Sequence, residues 1–411
     1  MMSRVRTQIA GAVGSVLEWY DFAVFGFLAP IISPLFFPDE DPMVALIQTY
    51  GVFAAGYLMR PLGGIIFGHV ADRLGRTMAL KWSIAMMAVP TVMIGLLPTY
   101  DQWGAAAAVL LILLRLIQGV SVGGELIAAI TFLVEAAPKN RKGLYGSWAL
   151  FGGVGGILLG SVVVDITDSL VTTEAMADYG WRIPFLLGFV IFIFGQWLRS
   201  ALADEPVASS DDDLPLKRVL RSHMGGVLHL IAAMCLYATG FYVCFVWMPA
   251  YQTRILPLPN EHALDVNTAT MFILLCLIPL AGLAGDKLGY RRVLLSGVGL
   301  MALVVYPLFL WIDTGSFLSA VIAGLVFAVL ISMIQGPMPA VLAEAFPADV
   351  RNTGIGIAYN AVLGLLGGTA PMVCTWLIHS TGDLASPAYY LIGLAVISFL
   401  ALVTLPRPQH V

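Results

Sequence analysis

Residues Gly68 to Arg76 read GHVADRLGR, and Gly282 to Tyr290 read GLAGDKLGY, 214 positions later. Both hold the pattern Gly-x-x-x-Asp-(Arg/Lys)-Leu-Gly. A second pair stands at almost the same separation: EAAPKNR from Glu135 and EAFPADVR from Glu344 are 209 positions apart. Two matched stretches at nearly one offset mark an internal duplication. All four are polar islands between long apolar runs, so the duplicated unit is a set of apolar segments.

Of the 411 residues, 59% are hydrophobic and 11% charged, and the mean hydropathy is +0.89. A soluble domain carries about 25% charged residues, and a single packed core stops growing at about 250–300 residues. The solvent of this chain is therefore a bilayer. A helix that crosses one needs about 20 mostly apolar residues. Twelve such runs lie near 8–37, 44–69, 78–98, 103–134, 142–167, 181–202, 223–252, 267–284, 291–312, 316–344, 352–379 and 387–405. With the duplication, they predict an all-α membrane protein of twelve transmembrane helices in two pseudo-symmetric six-helix halves. The halves are 1–202 and 222–411, joined by an acidic cytoplasmic linker over 203–221. Parallel repeats of this kind bind substrate near the midplane between them.

Lysine and arginine orient the spans. With the N-terminus in the cytoplasm, seventeen of the twenty-one fall on the cytoplasmic side, and only Arg182 and Arg254 fall outside. Arg60 and Arg115 lie within spans. The expectation is a multi-pass monomer of the bacterial inner membrane with both termini cytoplasmic.

Several classes are excluded. No basic tract with interleaved aromatics suggests a nucleic-acid partner. Cys235, Cys244, Cys276 and Cys374 sit in apolar runs without metal-ligand spacing. The six histidines form no HxxxH pair. No nucleophile–base set points to an enzyme, and no Gly-x-x-x-x-Gly-Lys-(Ser/Thr) loop points to an ATP-driven pump. No metal or cofactor is expected; the partners are the lipid bilayer and a small-molecule substrate, with the proton as coupling ion. A receptor without transport is the alternative of another class, and it would call for a soluble domain or long tail.

The polar islands carry a gate. Gly68 and Gly75 allow close helix approach and a sharp turn. Asp72 can accept hydrogen bonds from a helix N-terminus, where the dipole favours an anion. Arg73 and Arg76 can pair with acids such as Glu135, and Arg141 and Asp286 extend the set through the second island and the repeat. Such a latch closes the cytoplasmic side and must break for it to open.

These residues carry a resemblance. The chain resembles the major facilitator superfamily, and more narrowly its metabolite:proton symporter family, through LEWYDF (Leu17–Phe22), RPLGG (Arg60–Gly64), the Gly68–Arg76 loop, RLIQGVSVGGE (Arg115–Glu125) and EAAPKNRKG (Glu135–Gly143). Thr77 stands where the superfamily loop usually has a further base, and Tyr290 replaces the arginine of the second loop. Osmosensing members carry a coiled-coil tail, whereas this sequence stops soon after the last run, so osmosensing is not expected. The resemblance implies the twelve-helix fold, alternating access, and a cavity lined by helices 1, 4, 7 and 10. That implicates Tyr237, Tyr242 and Trp247 of helix 7 and Gln335 of helix 10, with Asn360 of helix 11 beside them.

Five ionisable residues fall inside spans: Glu18, Asp21, Arg60, Arg115 and Glu125. Each would cost at least about 2.5 kcal/mol at a helix centre facing lipid, so each faces protein or water. Glu18 and Asp21 stand three apart and share one face of helix 1. Neighbouring carboxylates cannot both ionise readily, and a carboxyl that loads and unloads near neutral pH is what proton coupling requires. Asp21, the deeper of the two, is the expected carrier. Glu18 tunes it or pairs with an arginine, and Glu125, about 15 Å further along helix 4 than Arg115, is a second proton stop or inner-gate acid. The alternative for either acid of helix 1 is a permanent salt bridge to Arg60 or Arg115.

An arginine keeps its charge and its planar fork suits a carboxylate. Arg115, with Gln118 one turn along the same face, and Arg60 are therefore substrate candidates. Tyr20, Tyr242 and Trp247, with Trp19, could cage a quaternary ammonium. Weighing the two arginines, the sequence favours a proton-coupled importer of a small organic acid. Its alternative is a zwitterion such as proline or a betaine.

Overall fold

A computed structural model of the chain describes residues 2–64, 66–67, 76–122, 125–200, 215–256, 262–348 and 350–405. Twelve helices order the described residues: α1 (Met2–Phe36), α2 (Pro42–Gly64), α3 (Arg76–Leu96), α4 (Ala105–Glu135), α5 (Lys142–Leu170), α6 (Arg182–Ser200), α7 (Val219–Ile255), α8 (Ala263–Leu288), α9 (Tyr290–Ile312), α10 (Phe317–Glu344), α11 (Arg351–Thr381) and α12 (Ser386–Thr404). Only helices keep every backbone group bonded within one segment in lipid.

Prolines and glycines mark the ends. Asp41 caps α2, its carboxylate accepting from the Met43 N–H at 2.8 Å, and Pro42 takes the first helical position. Gly289, the last glycine of the repeated motif, ends α8 at φ +94°, a conformation that disfavours any side chain. The sequence reads 103–134 as one continuous run. The structure instead breaks α4: Ala105–Ser121 ends at Val122, which is extended at φ −104° and ψ 136°, and helix resumes at Glu125. α7 widens into π turns over Tyr242–Trp247, and α11 does so over Leu363–Gly367. Such wide turns re-aim side chains and are frequent at functional sites.

Helix α5 packs against both α1 and α8, and α2 packs against α4 and α11, so the first six helices meet the last six along these pairs. α3 lies against α6, and α9 against α12, on the flanks. The flanks present large apolar side chains outward, among them Val89, Val190, Leu303 and Leu400. A continuous exposed apolar belt is what a lipid-facing surface requires. The buried charged residues Asp21, Arg60 and Arg115 lie inside, on α1, α2 and α4, with buried polar partners on α3, α4 and α11.

Candidate functional site

Asp21 is 2% exposed and Arg115 is fully buried. The guanidinium Nη1 of Arg115 lies 3.2 Å from Asp21 Oδ2 and donates to Gln118 Oε1 at 2.9 Å. Gln118 Nε2 donates to Thr91 Oγ1 at 2.9 Å, and Thr91 Oγ1 donates to Asp21 Oδ1 at 2.6 Å. The four side chains form a closed ring drawn from α1, α3 and α4. The Arg115 guanidinium carbon also sits 4.8 Å from the Phe22 ring centre and 4.3 Å from that of Phe25, contacts that favour a desolvated cation. Arg115 and Gln118 meet because residues three apart share a helix face. Removing either member of the buried pair would leave an uncompensated charge at a cost of about 3–5 kcal/mol.

A cavity that none of these four side chains lines opens between α1, α4, α5, α7, α10 and α11. Trp19 of α1, Tyr237, Phe241 and Tyr242 of α7, Gln335 of α10 and Tyr359 of α11 give its aromatic and polar lining; aliphatic and glycine surface of α4 and α5 completes it. Among the described residues no ionised side chain lines it. Two lining atoms, Trp19 Nε1 and Gln335 Oε1, are buried without a hydrogen-bond partner among the described residues. One is a donor and the other an acceptor, and leaving both unpaired costs free energy that a bound molecule can recover. The Tyr242 hydroxyl shares a hydrogen bond with that of Tyr57 at 2.7 Å, joining α7 to α2. Arg60 stands behind this wall, its guanidinium carbon 5.3 Å from the Trp19 ring centre and 5.4 Å from that of Tyr57. It donates from Nε to Asn360 Oδ1 at 3.4 Å.

The basic end joins the two halves. A methyl group on Gly143 would lie 2.4 Å from the Gly282 carbonyl oxygen, so only glycines permit this approach of α5 to α8. Asp286 accepts from the N–H groups of Gly143 and Leu144 at 2.8 and 2.9 Å. Lys142 pairs with Glu344 at 2.8 Å, and Arg351 pairs with Glu135 at 2.5 Å. At the opposite end, Ser161 of α5 hydrogen-bonds Thr268 of α8 at 2.7 Å, and His379 of α11 meets Asp41 at 3.0 Å.

The structure thus brings Asp21, Arg115 and Gln118 together, but Arg115 and Gln118 belong to the Asp21 ring and do not line the cavity. Tyr242 and Gln335 line it, and Arg60 and Asn360 form the layer behind. Tyr20 donates its hydroxyl to the Pro184 carbonyl at 2.7 Å, away from the cavity. Trp247 donates to Thr375 Oγ1 at 2.9 Å and stacks on Tyr251, so it is a packing residue between α7 and α11. Glu135, assigned to Arg73 or Arg76 from sequence, is held by Arg351. Arg141 precedes α5 without capping it through its side chain. Gly68, Asp72, Arg73 and Gly75 lie outside the described residues, as do the side chains of Glu18, Arg76 and Glu125. Sequence reasoning missed Thr91 of α3, Phe241 of α7 and Tyr359 of α11.

Comparisons with known proteins agree with this architecture. Residues 7–206 match the family described as Sugar (and other) transporter, and residues 259–411 match Major Facilitator Superfamily. A putative proline/betaine transporter of Staphylococcus aureus (strain COL) is 33% identical over 405 residues, covering 97% of this chain and 87% of that protein. The proline/betaine transporter of Escherichia coli (strain K12) is 33% identical over 418 aligned positions, covering 98% and 83%. Among solved structures, the xylose transporter XylE of E. coli in a partially occluded inward-open conformation gives a TM-score of 0.76 at 18% identity, covering 100% of both chains. A D-xylose-proton symporter gives 0.75 at 20% identity, covering 99% and 98%. With twelve helices, a duplicated loop motif and relatives matched over nearly the whole length, the chain belongs to the major facilitator superfamily of membrane transporters.

Proposed function

We propose that this transporter imports a small zwitterion of the proline or betaine kind across the bacterial inner membrane, driven by protons, with both termini in the cytoplasm. The observation that carries the reading is the division of labour between two separate places. Arg115 is neutralised by Asp21, and the cavity is aromatic and, among the described residues, free of ionised lining. A zwitterion brings no net charge into such a box. Its cationic head gains from the faces of Trp19, Tyr237 and Tyr242, and its carboxylate can accept from Trp19 Nε1. An organic acid, favoured by the sequence for its two arginines, would bring uncompensated negative charge into a low-dielectric space, which is costly. The names of the relatives support the same choice.

Coupling is assigned to Asp21. Protonating it converts the pair with Arg115 from charge–charge to charge–neutral and loosens α1 against α4. The halves 1–202 and 222–411, joined through 203–221, then rock about the cavity while the contacts at the basic end break and re-form. Uptake by proteoliposomes tests the substrate: labelled proline, a betaine and a dicarboxylate are offered with and without an inward proton gradient. Gradient-dependent accumulation of the zwitterions, and not of the dicarboxylate, is the expected result. Accumulation of the dicarboxylate alone would return the reading to an organic acid.

A further inference from the structure

Thr91 sits at the centre of three hydrogen bonds but owns one hydroxyl hydrogen. Its Oγ1 lies 2.6 Å from Asp21 Oδ1, 2.7 Å from the Met87 carbonyl oxygen and 2.9 Å from Gln118 Nε2. Gln118 can only donate through Nε2, so it occupies one acceptor site of the hydroxyl. The hydroxyl hydrogen then points either to Asp21 or to Met87, and it cannot do both. Neither direction requires any heavy atom to move.

The geometry points to Thr91 as a two-position switch that keeps Asp21 hydrogen-bonded in both of its protonation states. When Asp21 is ionised, Thr91 donates to Oδ1 and Arg115 donates to Oδ2. When a proton from solvent binds Oδ1, the new O–H donates to Thr91 Oγ1, whose hydrogen turns to the Met87 carbonyl. One proton is gained by the site, no proton leaves Thr91, and every bond lost is replaced. Gln118 keeps its donor contact throughout. Thr91 is thus a positioning residue for the coupling carboxyl, and the inference rests on the proton-coupled reading given above.

The groups that act on Asp21 from the packed helices are few. Arg115 of α4 is the facing charge; Tyr20 of α1 is its neighbour, with the hydroxyl held by Pro184; Tyr57 of α2 acts on Arg115. Glu18 of α1 shares the helix, with its side chain outside the described residues. Nothing else on α3 meets the carboxylate among the described residues.

The test is the dependence of proline uptake on external pH in proteoliposomes holding the full chain, for wild type, Thr91→Val and Thr91→Ser. A bond to an ionised acceptor is about twice as strong as one between neutral groups. Removing the hydroxyl therefore penalises the ionised carboxyl more, and the half-maximal pH for Thr91→Val is expected to move upward by about one unit. Thr91→Ser, which keeps the hydroxyl, is expected to retain the wild-type midpoint. A Thr91→Val midpoint equal to wild type, or a Thr91→Ser midpoint displaced as far as that of Thr91→Val, would overturn the inference. Should Thr91→Val fail to reach the membrane, Thr91→Ala carries the same expectation with less bulk. Wild-type uptake indifferent to the proton gradient would instead defeat the coupled reading itself, and this inference with it.

Discussion

Asp286 at the end of α8 holds the first turn of α5 by the backbone N–H of Gly143, at 2.8 Å. Its other oxygen takes the N–H of Leu144 at 2.9 Å. A carboxylate at a helix N-terminus meets unsatisfied donors and the positive end of the dipole. Here it belongs to the other half of the molecule, so the motif's aspartate is a clamp between halves. Each charge-assisted bond contributes about 1.5–3 kcal/mol. Asp286→Ala is therefore expected to open the basic end at least about tenfold more often, read as faster hydrogen exchange at the start of α5 and weaker gradient-driven accumulation. Unchanged exchange there would remove the clamp from the account.

Gln335 offers a buried acceptor and Trp19 a buried donor to the same cavity. Proline carries N–H groups that can satisfy Gln335 Oε1; a fully methylated betaine carries none. A site that leaves a buried polar group unpaired with one ligand discriminates against it. Across proline, N-methylproline and N,N-dimethylproline, apparent affinity in competition for proline uptake is expected to fall at the second methyl, which removes the last N–H. Gln335→Leu should flatten the series by about tenfold at its ends. A flat series in wild type would show that Gln335 does not sense the N–H.

Trp19→Phe removes the indole N–H from the cavity wall, together with the five-membered ring that carries it. It is expected to raise KM for proline about tenfold while leaving kcat within about twofold, because one hydrogen bond to a carboxylate is lost. An unaltered KM would place the substrate carboxylate elsewhere, with Arg60 behind the wall the next candidate.

Asp41 predicts a pH signature outside the membrane-spanning segments. The Met43 N–H holds its carboxyl below the ordinary 3.8; burial acts slightly the other way, and His379 assists the lowering. A depressed carboxyl contributes stability above its unfolded value and loses it as pH falls through the folded one. Asp41→Ala should therefore melt about 2 °C lower at pH 7, and the gap should close as pH falls below 3.8. A gap independent of pH would mean that α2 is not capped by this carboxylate.

The fold was legible because polar islands in an apolar chain stand out, and theirs repeat. Asp21 and Arg115 were legible for a related reason: neither can face lipid, so each must find a partner inside. That they find each other was one of two openings the residues left, and it reverses the substrate reading, since a cation already paired no longer argues for an anionic cargo. Thr91 was not legible. A threonine in a helix can satisfy itself on the carbonyl four residues back, as Thr91 can on Met87, so its presence in an apolar run signals nothing. The aromatic lining was half visible, because tyrosines and tryptophans are common in membrane helices for packing alone. Trp247 shows the difficulty: five residues beyond Tyr242 in the same widened stretch, it serves Thr375 and not the cavity.

The pairing of Asp21 with Arg115 stands at the centre of this account. Asp21→Asn imitates the protonated carboxyl, a state the proposed cycle visits, and so should fold where Asp21→Ala, with a cavity and no carboxylate facing Arg115, loses about 3–5 kcal/mol. Proline exchange and proton-driven accumulation measured side by side in proteoliposomes of Asp21→Asn give the most direct test. The account predicts exchange within a fewfold of wild type and no accumulation above equilibrium under an imposed gradient. Wild-type accumulation by Asp21→Asn would contradict it.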